Sequence, residues 1–164
     1  MPVDERGEWA DDVRAAMLAT RALVAISARS VAAVEEVVTL PQFRVLVMVA
    51  SRTGLNLGAV ARGLGVHPSN ATRVCDRLVE AGLLDRQDDP ADRRNLQLRL
   101  TDRGRALVDG VMDRRAQAIA EVLDRMPALQ RAALIPVLTT FAEAAGELPD
   151  EDLWSLGWTT ATVT

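Results

Sequence analysis

The chain contains no lysine and no tyrosine, and only one cysteine and one histidine. A single cysteine, Cys75, excludes an internal disulfide framework and a multi-thiolate metal site. With His67 as the lone imidazole, any zinc site would have to be assembled mostly from carboxylates. Aromatics are scarce too: three Trp (Trp9, Trp154, Trp158) and two Phe (Phe43, Phe141) are the whole supply. The core must therefore come mostly from Leu, Val, Ala and Met, residues that suit packed helices. The longest uninterrupted apolar runs, such as Val45 to Ala50, are far shorter than the ~20 residues a bilayer needs. The acidic stretch Met1 to Asp12 has no apolar centre of the kind a secretory signal carries. These absences predict a soluble, cytoplasmic protein with no membrane partner.

Catalytic patterns are missing as well. There is no Gly-rich phosphate loop, no H-E-x-x-H and no C-x-x-C, and no motif places a nucleophile beside His67. The acid pairs Asp11-Asp12, Glu35-Glu36 and Asp88-Asp89 are neighbours in sequence, so their side chains point apart on a helix. No enzyme activity, cofactor or metal is expected.

What is present is an uneven distribution of charge. The net charge is −4, which alone argues against nucleic acid. Yet residues 41–105 hold eleven Arg against seven acids, and the remainder holds eight Arg against sixteen. A basic centre between acidic ends lets one face meet phosphate while the rest stays soluble. All nineteen basic residues are Arg. Codon bias in a GC-rich genome accounts for that, although Arg also suits bidentate phosphate and guanine contacts.

At 164 residues the chain has the length of one domain. Residues 8–38 read as one long helix or two abutting ones, with Trp9, Val13, Met17, Val24, Ala28 and Val31 recurring at helical spacing. Pro41 opens a helix to about 52 that buries Phe43, Leu46, Val47 and Ala50. Asn56 caps a short helix, about 57–64. After Gly65, Val66-His67-Pro68 leads into a helix from 68 to 81, closed by Gly82. Two helices joined by a tight turn give a helix-turn-helix outline.

The period then changes. Leu96, Leu98 and Leu100 alternate with Gln97 and Arg99, as in a half-buried strand, and Leu83 to Gln87 is its hairpin partner. Thr101 caps a helix to about 125 whose stripe is Leu107, Val108, Val111, Met112, Ile119, Val122 and Leu123. Pro127 starts a last helix, about 128–146, which Pro136 should kink or split.

On the helix 68–81, Ala71, Val74, Cys75 and Leu78 share one face. The other side carries Ser69, Asn70, Thr72, Arg73, Asp76, Arg77 and Glu80. A helix entering the major groove needs short donors and Arg on the side away from its packing face. Arg73 is the best candidate for a guanine contact, followed by Ser69 and Asn70. Thr72 and Arg77 are candidates for phosphate. Asp76 and Glu80 would repel phosphate, so only the first half of the helix should lie deep. Alone, this pattern fits an ordinary solvated helix equally well. His67 falls at the N-cap, where it could touch DNA, sense pH or serve as a plain surface residue. Cys75, facing inward, is read as a small apolar residue.

The segment Asp92-Arg93-Arg94-Asn95-Leu96-Gln97-Leu98-Arg99-Leu100-Thr101 decides between the two readings of that helix. With Asp92, Arg94, Leu100 and Thr101 it matches a D-x-R-x5-L-T stretch, and Gly82-Leu83-Leu84 with Arg86 precedes it. Over residues 40–107 the chain resembles the MarR (multiple antibiotic resistance regulator) family. That resemblance implies a mainly α, winged helix-turn-helix fold with a two-stranded β wing and N- and C-terminal dimerisation helices. Residues 8–38 and 102–148 would dimerise, 41–101 would form the DNA-binding lobe, and 149–164 would be a tail holding Trp154 and Trp158. It further implies a minor-groove contact from the wing, with Arg93 and Arg94 beside DNA, Asp92 orienting Arg94, and Arg86 also on DNA. The implied function is a ligand-responsive repressor that binds a palindromic double-stranded operator as a homodimer. Its ligand would be small and aromatic or lipophilic, with Trp9, Met17 and Phe43 as candidate lining. The oxidant-sensing mechanism of some relatives, which uses a cysteine near the N-terminus, does not transfer to Cys75. The alternative is a dimeric winged-helix protein-interaction module without DNA binding.

Overall fold

The computed structural model describes residues 5–88 and 96–146, with side chains from residue 10 onward. The wing-tip residues Asp92, Arg93 and Arg94, the tail with Trp154 and Trp158, and the side chain of Trp9 lie outside the described residues. The elements run α1 (Glu5–Ala32), α2 (Leu40–Ser51), α3 (Leu57–Leu64), α4 (Pro68–Glu80), β1 (Leu84–Asp88), β2 (Leu96–Leu100), α5 (Asp102–Asp124) and α6 (Ala128–Ala144). The fold is thus mainly α with a two-stranded antiparallel sheet, as expected from the sequence.

α2 is the centre. Phe43 and Val45 through Val49 are all buried, and α3, α4, α5 and β2 pack around them. Burying a side chain of this size contributes about 1.5–3 kcal/mol, so this cluster dominates the stability of the lobe. The helix starts one residue earlier than Pro41 suggested. Thr39 is its N-cap, and the Thr39 N–H donates to Gln42 Oε1 at 2.7 Å.

α1 stops at Ala32, well short of 38. A turn with Val34 N–H to Val31 O and Val37 N–H to Val34 O, both 2.9 Å, instead sends Val34 and Val38 into the core. Of the predicted stripe of α1, Val31 packs against the core within the chain, but Val13, Met17, Val24 and Ala28 before it do not. Ile26 and Ser30 are buried, whereas Val13, Met17 and Val24 are exposed. The expectation that no stretch is long enough to span a bilayer also needs correcting, because Ala10–Ala32 is long and apolar enough by length and composition. Arg14, Arg21 and Arg29 interrupt its apolar runs, so no uninterrupted run marks it in the sequence.

In the hairpin, Leu84 faces Leu100, Arg86 faces Leu98 and Asp88 faces Leu96. Of the three leucines of β2, Leu98 is buried and Leu96 is exposed. Leu96 sits at the outer end, where the hairpin leaves the body. Leu98 N–H also donates to Leu55 O at 2.7 Å, which ties β2 to the α2–α3 connection.

α5 buries Gly104, Val108, Val111 and Arg115, while Val122 of the expected stripe is exposed. α6 is one continuous helix, so Pro136 does not split it, and none of its residues is buried.

Candidate nucleic-acid interface

The recognition helix α4 is set by local chemistry at both ends. Pro68 supplies a first residue whose missing N–H has no partner to lose. His67 is the N-cap, its Nδ1 accepting from Ser69 N–H at 3.4 Å and lying 2.9 Å from Ser69 Oγ. At the other end Gly82 takes a left-handed backbone (φ 67°) that a side chain would strain, and this turns the chain into β1.

The two faces are sorted as the wheel requires. Ala71, Cys75 and Leu78 are fully buried against the lobe, and Val74 is partly buried. Ser69, Asn70, Arg73, Arg77 and Glu80 are exposed, with Thr72 and Asp76 partly so. Within that face the side chains already hold one another. Arg73 Nη2 donates to Asn70 Oδ1, so the residue one turn earlier holds the guanidinium. Thr72 Oγ1 donates to Pro68 O at 3.0 Å, which leaves its oxygen as an acceptor and makes a phosphate contact depend on breaking that bond.

Arg86 pairs with Asp76. The side chains are 31% and 42% exposed, so screening limits the direct gain to about 0–1 kcal/mol. The pair bridges the recognition helix and the first wing strand, a link that sequence reasoning missed.

A second link joins α4 to α5. Thr101 Oγ1 accepts from Gly104 N–H at 3.0 Å and donates to Gly82 O at 2.8 Å. Thr101 N–H donates to Leu83 O at 3.2 Å, and Arg103 Nη1 donates to Ala81 O at 2.9 Å. A cation at that carbonyl end also suits the helix dipole. Thr101 of the motif is therefore a structural node that ties the end of α4 to the start of α5.

Of the candidate ligand residues, the structure describes the side chains of Met17 and Phe43, which differ in burial. Met17 is exposed on α1, and Phe43 is buried at 1% exposure in the core. A groove of about 300 Å³ lies elsewhere, between α1 and α5, lined by Ile26, Arg29, Ser30, Arg114, Gln117 and their neighbours. Beside it, Arg115 is buried with Nε 3.4 Å from Ser30 Oγ, and burial lowers its pKa.

Cys75 is buried as expected. Burial pushes its thiol pKa up from 9.0 to about 11, with Arg86 pulling down and Asp76 pushing up. The folded state thus prefers the neutral thiol, so stability is intact below pH 9.0 and is lost as pH climbs through about 11. The loss reaches up to about 3 kcal/mol. With no Lys or Tyr in the chain, few side chains compete in that window. Urea midpoints at pH 8 and pH 10.5 should differ for the parent protein, and the difference should shrink in Cys75→Ala. Equal pH dependence in both would contradict this assignment.

Comparison with known proteins agrees with this geometry. The model of the MarR family matches residues 38–96. The HTH-type transcriptional repressor Rv2887 of Mycobacterium tuberculosis is 36% identical over 98 residues, covering 57% of this chain and 67% of that protein. The chain spans about two thirds of the length of the curated relatives it matches. The crystal structure of Rv1404 from the same organism is 45% identical, with a TM-score of 0.72, covering 84% of this chain and 95% of that one. A MarR family structure of Rv2887 in complex with p-aminosalicylic acid is 29% identical, with a TM-score of 0.52 and coverages of 77% and 97%. An exposed polar recognition helix, a two-stranded wing joined to it, and these likenesses place the chain in the MarR family of DNA-binding transcriptional regulators.

Proposed function

We propose that the protein is a cytoplasmic repressor that binds a palindromic operator as a homodimer, with residues 41–101 as the DNA-binding lobe and α1, α5 and α6 as the dimerisation helices. The observation that carries this reading is the sorting of α4, whose Arg73 and Ser69 are exposed opposite fully buried Ala71, Cys75 and Leu78, with exposed Asn70 and Arg77 flanking them. In this reading Arg73, Asn70 and Ser69 meet base edges, Thr72 and Arg77 meet phosphate, and Arg94 enters the minor groove, oriented by Asp92, with Arg93 beside it on DNA. Transcriptional regulators among its relatives favour DNA over an interaction module and over an enzyme.

A small aromatic or lipophilic ligand acts by preferring one spacing of the two recognition helices over another. The relative Rv2887 in complex with p-aminosalicylic acid supports that class. Trp9 and Met17 are candidates for its pocket; Phe43 would have to give up core packing to join them.

A mobility-shift titration tests the DNA reading. Log K should fall with log salt at a slope of about −0.9 per neutralised phosphate, with several phosphates per dimer. A slope near zero would sink it. In the same assay Arg73→Ala should lose about 1–3 kcal/mol of discrimination at one base pair per half-site while non-specific binding survives. Arg94→Ala should instead weaken binding most at A·T-rich flanks.

A further inference from the structure

The face of α4 offered to DNA includes two acids, Glu80 at its end and Asp76 nearer its middle. Asp76 lies between Arg73 and Arg77 in sequence, and its side chain is 42% exposed. A bare carboxylate there opposes phosphate. In the fold it is not bare, because the Arg86 guanidinium from β1 reaches it across ten residues.

The hairpin register explains why Arg86 points that way. Arg86 is paired with Leu98 and stands two residues from Leu84. Side chains of cross-strand partners, and of residues two apart, share a face of the sheet. Leu84 and Leu98 are both buried, so Arg86 leaves the strand on the inward side, toward α4, and not on the outward side with Asp85 and Gln87.

We infer that Arg86 is a positioning residue for DNA binding: by holding Asp76 it cancels that acid on the reading face and fixes the wing against the recognition helix. This rests on the DNA-binding reading above and gives Arg86 a different part from that of a phosphate contact. The guanidinium is committed within the protein before DNA arrives.

A double-mutant cycle tests this on the full-length protein, with a duplex selected by the parent protein from a randomised pool as probe. Arg86→Gln should weaken binding about tenfold, because it strands a carboxylate against phosphate. Adding Asp76→Asn should recover most of that loss, since the two sites are coupled. The salt slope of the double variant should equal the parent's. Arg86→Lys, which keeps the charge without the planar fork, should lie between parent and Arg86→Gln. Thermal melts of each variant confirm that the lobe is folded.

If the double variant binds as weakly as Arg86→Gln, with a salt slope shallower by about 0.9 per protomer, Arg86 contacts phosphate directly and the inference is overturned. Failure of the parent protein to select any duplex would bring down the DNA-binding reading and this inference together, a result distinct from the first.

Discussion

Replacing Leu138 and Phe141 together by glutamate is expected to turn the dimer into a monomer and weaken operator binding at least about a hundredfold. The two residues lie three apart, on one face of α6. Phe141 is 62% exposed within the protomer, and Leu129, on the same helix, is 86% exposed. No residue of α6 is buried by its own chain. Helices in proteins draw most of their stability from tertiary packing, and Pro136 inside α6 adds about 3 kcal/mol against the helical state. In the dimer proposed above, a second copy would offer the exposed α1 residues Val13, Met17, Leu18 and Val24 as matching apolar surface. Burying two carboxylates in such an apolar interface is costly. Because the substituted side chains touch nothing in the lobe core, far-UV dichroism of the lobe should survive. Light scattering should move from twice 17.7 kDa to 17.7 kDa. A parent protein that already scatters as a compact folded monomer at micromolar concentration would refute the dimer.

Gly104→Ala is expected to destabilise the protein by about 3 kcal/mol, although alanine is the better helix former. A Cβ at this position would stand 2.1 Å from Leu83 O and 3.0 Å from Leu83 C, both backbone atoms. Leu83 cannot easily retreat, because its carbonyl accepts from Thr101 N–H and its N–H donates to Leu78 O at 2.9 Å. Relief therefore breaks the node that joins α4 to α5. Gly110→Ala, in the same helix with only Arg114 Nη2 near at 3.8 Å, is the control and should gain up to about 1 kcal/mol. For a chain of this length 1 kcal/mol is worth about 2–4 °C in Tm, so the two variants should melt on opposite sides of the parent. Similar shifts in both would show that the close approach is not sustained in solution.

Much of the architecture could be read from sequence, and the reason is locality. The caps at Asn56 and Thr101 close through Ala59 N–H and Gly104 N–H, three residues away, so nothing distant is needed to foresee them. The faces of α4 follow from its own periodicity. The misreadings come from contacts that the chain makes only after returning on itself. No Gly or Pro marks the end of α1; the helix ends at Ala32 because burial of Val34 and Val38 competes with further helical turns. The alternation of β2 suggested three inward leucines, but whether an end of a hairpin reaches the body depends on the body. Arg115 sits four residues after Val111 on the buried stripe of α5, so periodicity could have flagged it. Its Ser30 partner, on α1, could not have been foreseen. Asp76 and Arg86 were each singled out alone, as a repellent acid and as a DNA contact. Their pairing required knowing that β1 folds back alongside α4.

Because Thr101, Arg103 and Gly104 weld the start of α5 to the end of α4, torque applied along α5 arrives at the recognition helix with little slack. At ~1.5 Å per residue, the 23 residues of α5 form an arm of about 35 Å. Tilting such an arm by ~5° about its far end sweeps its start through ~3 Å, which exceeds the tolerance of a hydrogen bond to a base edge. The far end of that arm is the junction at Arg125 to Pro127, where α5 passes into α6. A ligand or partner that shifts that junction by a few degrees can thus lift α4 out of register while every bond inside the lobe stays intact.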